Sequence, residues 1–218
     1  MKIKWLGHAS FLITADNGIK ILTDPYESGA FGGAIRHAPI QERVQVVTSS
    51  HEHADHGHLK DLPGEPVILR TAGSFVAEGI AFEGIGTFHD TSHGAERGSN
   101  VVFFFTVDGV KVCHLGDLGH VLSAEQAVRI GAVDALLVPV GGFFTIGPEE
   151  ATKVAEQLAA RVVIPMHFKT PKVEFPIAPV DDFLTGKPNV KKLRDSEVRI
   201  ERGDLPAERE IIVLQPAL

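Results

Sequence analysis

The stretch VQVVTSSHEHADHGH, residues 44–58, runs an apolar β-branched segment straight into an octet in which four of eight residues are histidine. A solvated loop could carry that composition, but it would follow no particular order and would have no reason to sit directly behind an apolar run. If VQVVTSS is a strand, His51 and His53 project from its end on one side, because strand side chains alternate with a period of two, and Asp55 and His56 follow in the turn. Imidazole is the commonest metal ligand in proteins, and nitrogen-rich donor sets with a carboxylate suit zinc or another borderline first-row ion. The ordered spacing H-x-H-x-D-H is a far more specific signal than a histidine count.

Working outward, short β-branched and aromatic runs recur with Gly, Asp and Pro between them: KIKWL, SFLIT, IKILTD, PVILR, IAFEGIGTF, NVVFFFTVDG and VKVCHLGD. These predict strands. Asp108-Gly109 between NVVFFFTV and VKVCHL predicts a tight hairpin, so the sheet is mixed or antiparallel. LSAEQAVRI and PEEATKVAEQLAA carry helical spacing, the first capped by Ser123 and the second introduced by Thr145 or the turn at Pro148. DALLVPV and RVVIPM are continuous apolar runs of the kind found in strands covered on both faces, so the helices pack on sheet faces. PVDDFLTG predicts a brief helix, SEVRIERGD with REIIVLQP a last hairpin, and KTPKVEFPIAPV a surface loop. No repeat or linker interrupts the chain, which reads as one α/β domain over residues 1–218.

The 218 residues carry a formal charge of −7, which argues against a basic face for nucleic acid. Cys113 stands alone, so no disulfide closes within the chain and a reducing cytoplasm suits it. The N-terminal stretch lacks a signal-peptide apolar region and reads as mature protein, and the longest apolar runs fall well below the roughly 20 residues that span a bilayer. The expected partner is a small-molecule substrate, with no nucleic acid and no membrane, and a homo-oligomer is left open.

HEHADH resembles the H-x-H-x-D-H signature of the metallo-β-lactamase superfamily, and WLGHASFLI, LTDP, the H-D…G-x-x-R-G-x-N stretch, HLGDLGH, LLVPVGG and IPMH extend the likeness over about residues 3–170. Together they are similar to the compact branch of zinc-dependent hydrolases that includes ascorbate-6-phosphate lactonase-like proteins. The resemblance implies a four-layer αββα sandwich and two divalent metal ions, zinc in the first place, with manganese, iron or nickel as alternatives. Carried over residue by residue, it implies that His51 and His53 hold one ion, that Asp55, His56 and His167 hold the other, and that Asp117 bridges them. The remaining ligand is His89 or His93; His89 is preferred because it sits where a strand ends. Asp24 resembles an early aspartate that orients ligands.

The implied chemistry is hydrolysis of a small-molecule ester, lactone or phosphoester by a hydroxide shared between the metals, with Asp55 also placed to shuttle a proton. The alternative is an iron-dependent, dioxygenase-like oxidoreductase on the same fold. An RNA- or DNA-processing nuclease is disfavoured because no clamp domain fits between Asp117 and His167, and a non-catalytic metal-binding protein is disfavoured by the complete ligand set. Around the site, Gly141 and Gly142 either receive an anionic oxygen or only permit a turn. Lys169 either meets an anion or is solvated, and Phe143 and Phe144 either line a pocket or belong to the core. His8 and His120 are read as substrate-side or ligand-orienting groups, His114 and Cys113 as core, His37 and His58 as surface, and Arg97 as the partner of an acid.

Overall fold

The computed structural model describes residues 1–218 as two mixed sheets packed face to face. The first sheet contains β1 (Lys2–Gly7), β2 (Ser10–Thr14), β3 (Lys20–Thr23), β4 (Val46–Thr48), β5 (Val67–Leu69) and β13 (Glu197–Arg199), in the order β13-β1-β2-β3-β4-β5. The second contains β6 (Gly73–Ala77), β7 (Ile80–Phe88), β8 (Ser99–Val107), β9 (Val110–His114), β10 (Ala135–Pro139), β11 (Val162–Met166), β12 (Val190–Lys192) and β14 (Glu210–Val213), in the order β12-β14-β11-β10-β9-β8-β7-β6. The hairpin at Asp108-Gly109 forms as the dipeptide predicts, with Asp108 at φ 51° and Gly109 at φ 75°.

Period-two alternation sorts the first sheet into two faces. Ile3, Trp5, Phe11, Ile13, Ile21 and Val46 enter the large core between the sheets. Their neighbours Leu12, Leu22 and Val47 point the other way, into a smaller cluster closed by Tyr26, Ile35, Ile40 and Val173. The outer face of this sheet is thus covered mainly by irregular chain, the segment that follows β3 and the one that follows β11. Over the second sheet lie the helices Ala124–Ile130 and Pro148–Gln157, whose buried Ile130, Ala151, Val154 and Ala155 join the main core with the fully buried β10 and β11. Ser123 makes a full capping box with Gln126, whereas the second helix starts from Gly147 with Pro148 inside its first turn and leaves Thr145 without a capping role.

The tail departs from expectation. Its two strands do not pair with each other: β13 runs antiparallel to β1, and β14 runs parallel to β11 and β12. One strand therefore extends each sheet. A continuous apolar or alternating run predicts a strand but not its partner, and both partners here lie far away in the chain. The strand β6 was not signalled at all, since GSFVA is an edge strand with an exposed Val76. No helix is long and apolar enough to cross a membrane.

Candidate metal centre

The strand ends β3, β4, β7, β9 and β11 and the turn between β1 and β2 open onto one rim. The histidine octet does not leave its strand directly: β4 ends at Thr48, and Ser49-Ser50 carry the chain round before His51, so a loop rather than strand alternation presents the ligands. Ser50 O accepts from Val101 N at 2.9 Å and so ties that loop to the second sheet.

Asp24 is the hub of the first-sheet side. Fully buried, it accepts from Ser50 N at 2.7 Å and Ser50 Oγ at 2.6 Å, and its Oδ2 lies 2.8 Å from His56 Nδ1. Because the Ser50 hydroxyl proton goes to Asp24, Ser50 Oγ is left to accept from His51 Nδ1 at 2.9 Å. One carboxylate thereby fixes both rings with Nδ1 protonated and Nε2 turned toward the rim. Burial would raise the Asp24 carboxyl, but His114 and His56 outweigh it and hold it below the ordinary range.

The second sheet supplies His89, Asp117 and His167. Asp117 Oδ2 stands 3.0 Å from His89 Nε2, 3.1 Å from His56 Nε2 and 3.8 Å from His51 Nε2, and Oδ1 stands 3.5 Å from His167 Nε2. His51 Nε2 and His53 Nδ1 are 3.0 Å apart. Asp55 Oδ2 lies 3.6 Å from His56 Nε2 and 3.0 Å from His8 Nε2. Three groups result in which every member offers one donor atom within 4.8 Å of the others: His51, His53 and His89; His8, Asp55, His56 and His167; and His51, His56 and Asp117. All seven expected ligands are brought together, and His89 rather than His93 is the one that arrives. His93 is exposed and packs its ring on Phe88.

The donor set fits a cation. His56 Nε2 and Asp117 Oδ1 are buried without a hydrogen-bond partner, at a place where the lone pairs of several rings converge. Such orphaned atoms are costly in the absence of something positive between them. Burial, with His56 adding to it, lowers the His51 pKa to about 3, and burial with His167 lowers that of His8 to about 4. His51 is thus in the neutral form that a ligand needs. Burial would also raise Asp117, but His167 and His56 hold it well below the ordinary range; burial would lower His56, but Asp117 and Asp55 hold it well above.

Small residues let the backbone close around these groups. A Cβ on Gly116 would stand 2.4 Å from both Asn100 Oδ1 and Ser50 Cβ, and Asn100 Oδ1 accepts from Asp117 N at 2.9 Å. A Cβ on Gly141 would stand 2.2 Å from His167 O, the same oxygen that accepts from Gly141 N at 3.1 Å. Gly141 therefore serves close approach, and its N–H is not free to receive an anionic oxygen. His8, Asp24 and His167 each hold positive φ, at 52°, 40° and 51°, the kind of local strain that concentrates at functional sites.

The other candidates separate clearly. His8 belongs to the centre through Asp55, whereas His120 braces backbone, its Nε2 accepting from Phe88 N. His114 is a buried core histidine against Ala9 O, as its sequence context suggests, and burial pushes the Cys113 thiol up to about 12. Lys169 donates to Phe175 O rather than facing the site. His58 pairs with Asp61 near the surface. His37 corrects the surface reading: it is fully buried, because Gly7 has no side chain to occupy the place of its ring. Phe144 lines the cavity and Phe143 stays exposed. Asp90 carries a role the sequence did not show, accepting four amide hydrogen bonds from its own loop.

Residues 2–167 match the family described as the β-lactamase superfamily domain. The chain belongs to that superfamily. Within it, the chain is 40% identical to a protein from Thermotoga maritima described as a zinc-dependent hydrolase of the metallo-β-lactamase superfamily; the likeness covers 98% of this chain and 97% of that one, with a TM-score of 0.81. It is also 32% identical to a UPF0173 metal-dependent hydrolase of Methanoculleus marisnigri, over 78% of this chain and 82% of that protein. Igni18, a metallo hydrolase from Ignicoccus hospitalis, shares 20% identity and a TM-score of 0.61 over 99% of this chain and 95% of its own, which shows the common sandwich alone.

Proposed function

We propose that this member of the superfamily is a metal-dependent hydrolase with a dinuclear centre, acting on a small-molecule ester, lactone or phosphoester. The observation that carries the reading is Asp117, whose two oxygens face ring nitrogens of both clusters, while its own Oδ1 and His56 Nε2 are buried without a hydrogen-bond partner. His51, His53 and His89 would hold one divalent ion, zinc in the first place, and Asp55, His56 and His167 the other, with Asp117 shared. Ions held there would lower the pKa of a water and polarise the bond to be cut.

The chain's own groups do the rest. Asp24 keeps His56 and, through Ser50, His51 in the ligating tautomer. His8 Nε2 stands 3.0 Å from Asp55 Oδ2 and fixes that carboxylate in the lining of the cavity, where Asp55 can take a proton from the attacking water and return it to the leaving oxygen. Water adds across one bond, so neither an oxidant nor a Ser or Cys nucleophile is required. The cavity, about 260 Å³, fits a small substrate rather than a polymer.

Metal content of protein purified without chelators, measured with a screen of phosphodiester, lactone and ester substrates, tests the reading. Two zinc or manganese ions per chain, with hydrolysis lost on chelation and regained on reloading, is the expected outcome. One iron per chain with oxygen uptake and no hydrolysis would replace it with the oxidoreductase alternative.

A further inference from the structure

We propose that Arg97, with the aromatic wall beside it, selects the substrate: an organic oxyanion, carboxylate or phosphorus-based, carried on an aromatic or similarly flat apolar group. The inference rests on the hydrolase reading and assigns the substrate class of that same site.

Arg97 lines the cavity whose floor includes Asp55, Asp117 and His167, yet it forms an ion pair with neither carboxylate. Its one acidic neighbour is Glu96, adjacent in the chain, at 3.5 Å, and Glu96 is itself engaged by Ser92 Oγ at 2.7 Å. A single long contact of that kind between half-exposed groups holds little. The guanidinium is therefore an unmatched cation at the mouth of the site. Its carbon lies 5.8 Å from the centroid of Phe144, so the ring restricts where the fork can point.

The base beneath it is rigid. Asp90, 4% exposed, accepts through Oδ1 from Ser92 N and Gly94 N, both at 2.8 Å, and through Oδ2 from Glu96 N at 3.0 Å and Arg97 N at 2.8 Å. A loop pinned at four amides presents its arginine with little ordering left to do on binding, which is how preorganisation favours affinity. Running on from Phe144, Phe175 and then Phe31 continue a chain of edge-on rings along the cavity, each 5.5 Å from the next. Phe31 is 56% exposed and holds φ at 52°, a conformation rare for a bulky residue. Exposed aromatic surface joined to a cavity marks a place where apolar substrate surface is received. A fork that grips two oxygens, set beside a flat apolar wall, matches a substrate with both features.

Equilibrium binding to the zinc-loaded full chain tests this with phenylphosphonate and phenylacetate as probes, and with methylphosphonate and acetate as controls lacking the ring. Wild-type protein is expected to prefer a phenyl probe over its methyl counterpart by tenfold or more. Arg97→Met should weaken that probe at least tenfold without changing metal stoichiometry, and Arg97→Lys should restore only part, because a lysine keeps the charge and loses the fork. Phe31→Ala should erase the preference for the ring. Whichever phenyl probe responds to Arg97→Met identifies the anion as phosphorus-based or carboxylate. Equal binding by wild type and Arg97→Met, which puts the anion on the metals alone, or no binding of either probe, overturns the proposal. Turnover by wild type is measured separately with phenyl phosphate, which carries both the ring and the anion, and with the ester, lactone and phosphodiester screen: Arg97-dependent binding with no turnover of any of them removes the hydrolase reading and supports the ligand class.

Discussion

Asp24→Asn isolates the tautomer argument. The substitution keeps volume and shape, and asparagine tolerates the left-handed backbone at φ 40° at least as well as aspartate, so the fold has no new reason to move. The amide can still accept from Ser50 N through its oxygen, but its nitrogen now faces His56 Nδ1, which stood 2.8 Å from a carboxylate oxygen. Two donors cannot face each other there, so the ring must move its proton to Nε2, the nitrogen that faces Asp117 and would hold the metal. The loss is that of one hydrogen bond to a charged group, about 1.5–3 kcal/mol, equivalent to roughly a 10- to 150-fold weaker metal affinity. That agrees with the ~10–100-fold typical of losing a group that orients a ligand. The cluster of Asp55, His56 and His167 should weaken most, and that of His51, His53 and His89 less, because His51 feels Asp24 only through Ser50. Competition with a fluorescent chelator reads the two affinities, and nitrogen-15 shifts of the His56 ring read the tautomer. Wild-type affinity at both clusters in Asp24→Asn, or a His56 ring still protonated at Nδ1, would refute the reasoning.

Three further outcomes are expected. Gly141→Ala places a Cβ 2.2 Å from His167 O, a backbone atom that cannot step aside, and should cost about 1–3 kcal/mol, read as a fall in Tm of about 2–12 °C, with weaker metal binding; a melt within about 1 °C of wild type would show that the strand end can yield. Metal loading should raise Tm by about 5–11 °C at 100-fold over Kd, since binding to the folded state alone adds about 2.7 kcal/mol, and coincident melts of loaded and chelated protein would contradict that. Burial raises the Asp90 carboxyl, but the amide donors of Arg97, Gly94, Glu96 and Ser92 outweigh it and hold it at about 2, below its ordinary 3.8. A depressed carboxylate contributes order that is present above its unfolded pKa and lost as pH falls through the folded one, so amide protection at residues 92–97 should fade between about pH 4 and pH 2. The same profile in Asp90→Asn would assign the fading to another group.

The octet was legible because its chemistry is local: four candidate donors lie within six residues, and no long-range contact is needed to notice them. His89 was legible for a different reason, since a strand end is where a ligand can reach a shared rim. The family resemblance of LTDP names Asp24, but its action on His51 could not be read, because that action passes through Ser50 Oγ, a hydroxyl that nothing in SSHEH marks out. Arg97 reads as the partner of an acid, and only the fold shows that its one acidic neighbour is the adjacent Glu96, held by Ser92. The tail hairpin and His37 failed in the same way. Each depends on what a distant segment leaves open, β1 and β11 as partners in one case and the bare Cα of Gly7 in the other.

The position of the centre follows from how the sheets are joined. Both sheets bring ligands, and near them the halves are stitched by bonds that no single sheet could make: His167 N to His8 O at 3.1 Å, Val101 N to Ser50 O at 2.9 Å and His114 Nε2 to Ala9 O at 2.8 Å. The first two use backbone groups of the candidate ligands or their neighbours and the third a core histidine ring outside the donor set, so they fix where the side chains start without consuming the donors themselves. The positive φ values at His8 and His167 are held by one such bond, between those two residues. The core between the sheets sets their separation, the stitches set their register at the rim, and the orphaned nitrogens and oxygens are what remains unsatisfied once both are in place. A cation there would give His56 Nε2 and Asp117 Oδ1 the partner that the fold does not supply, and because the core and the stitches already hold the surrounding backbone, the donor geometry can be rigid before any ion arrives.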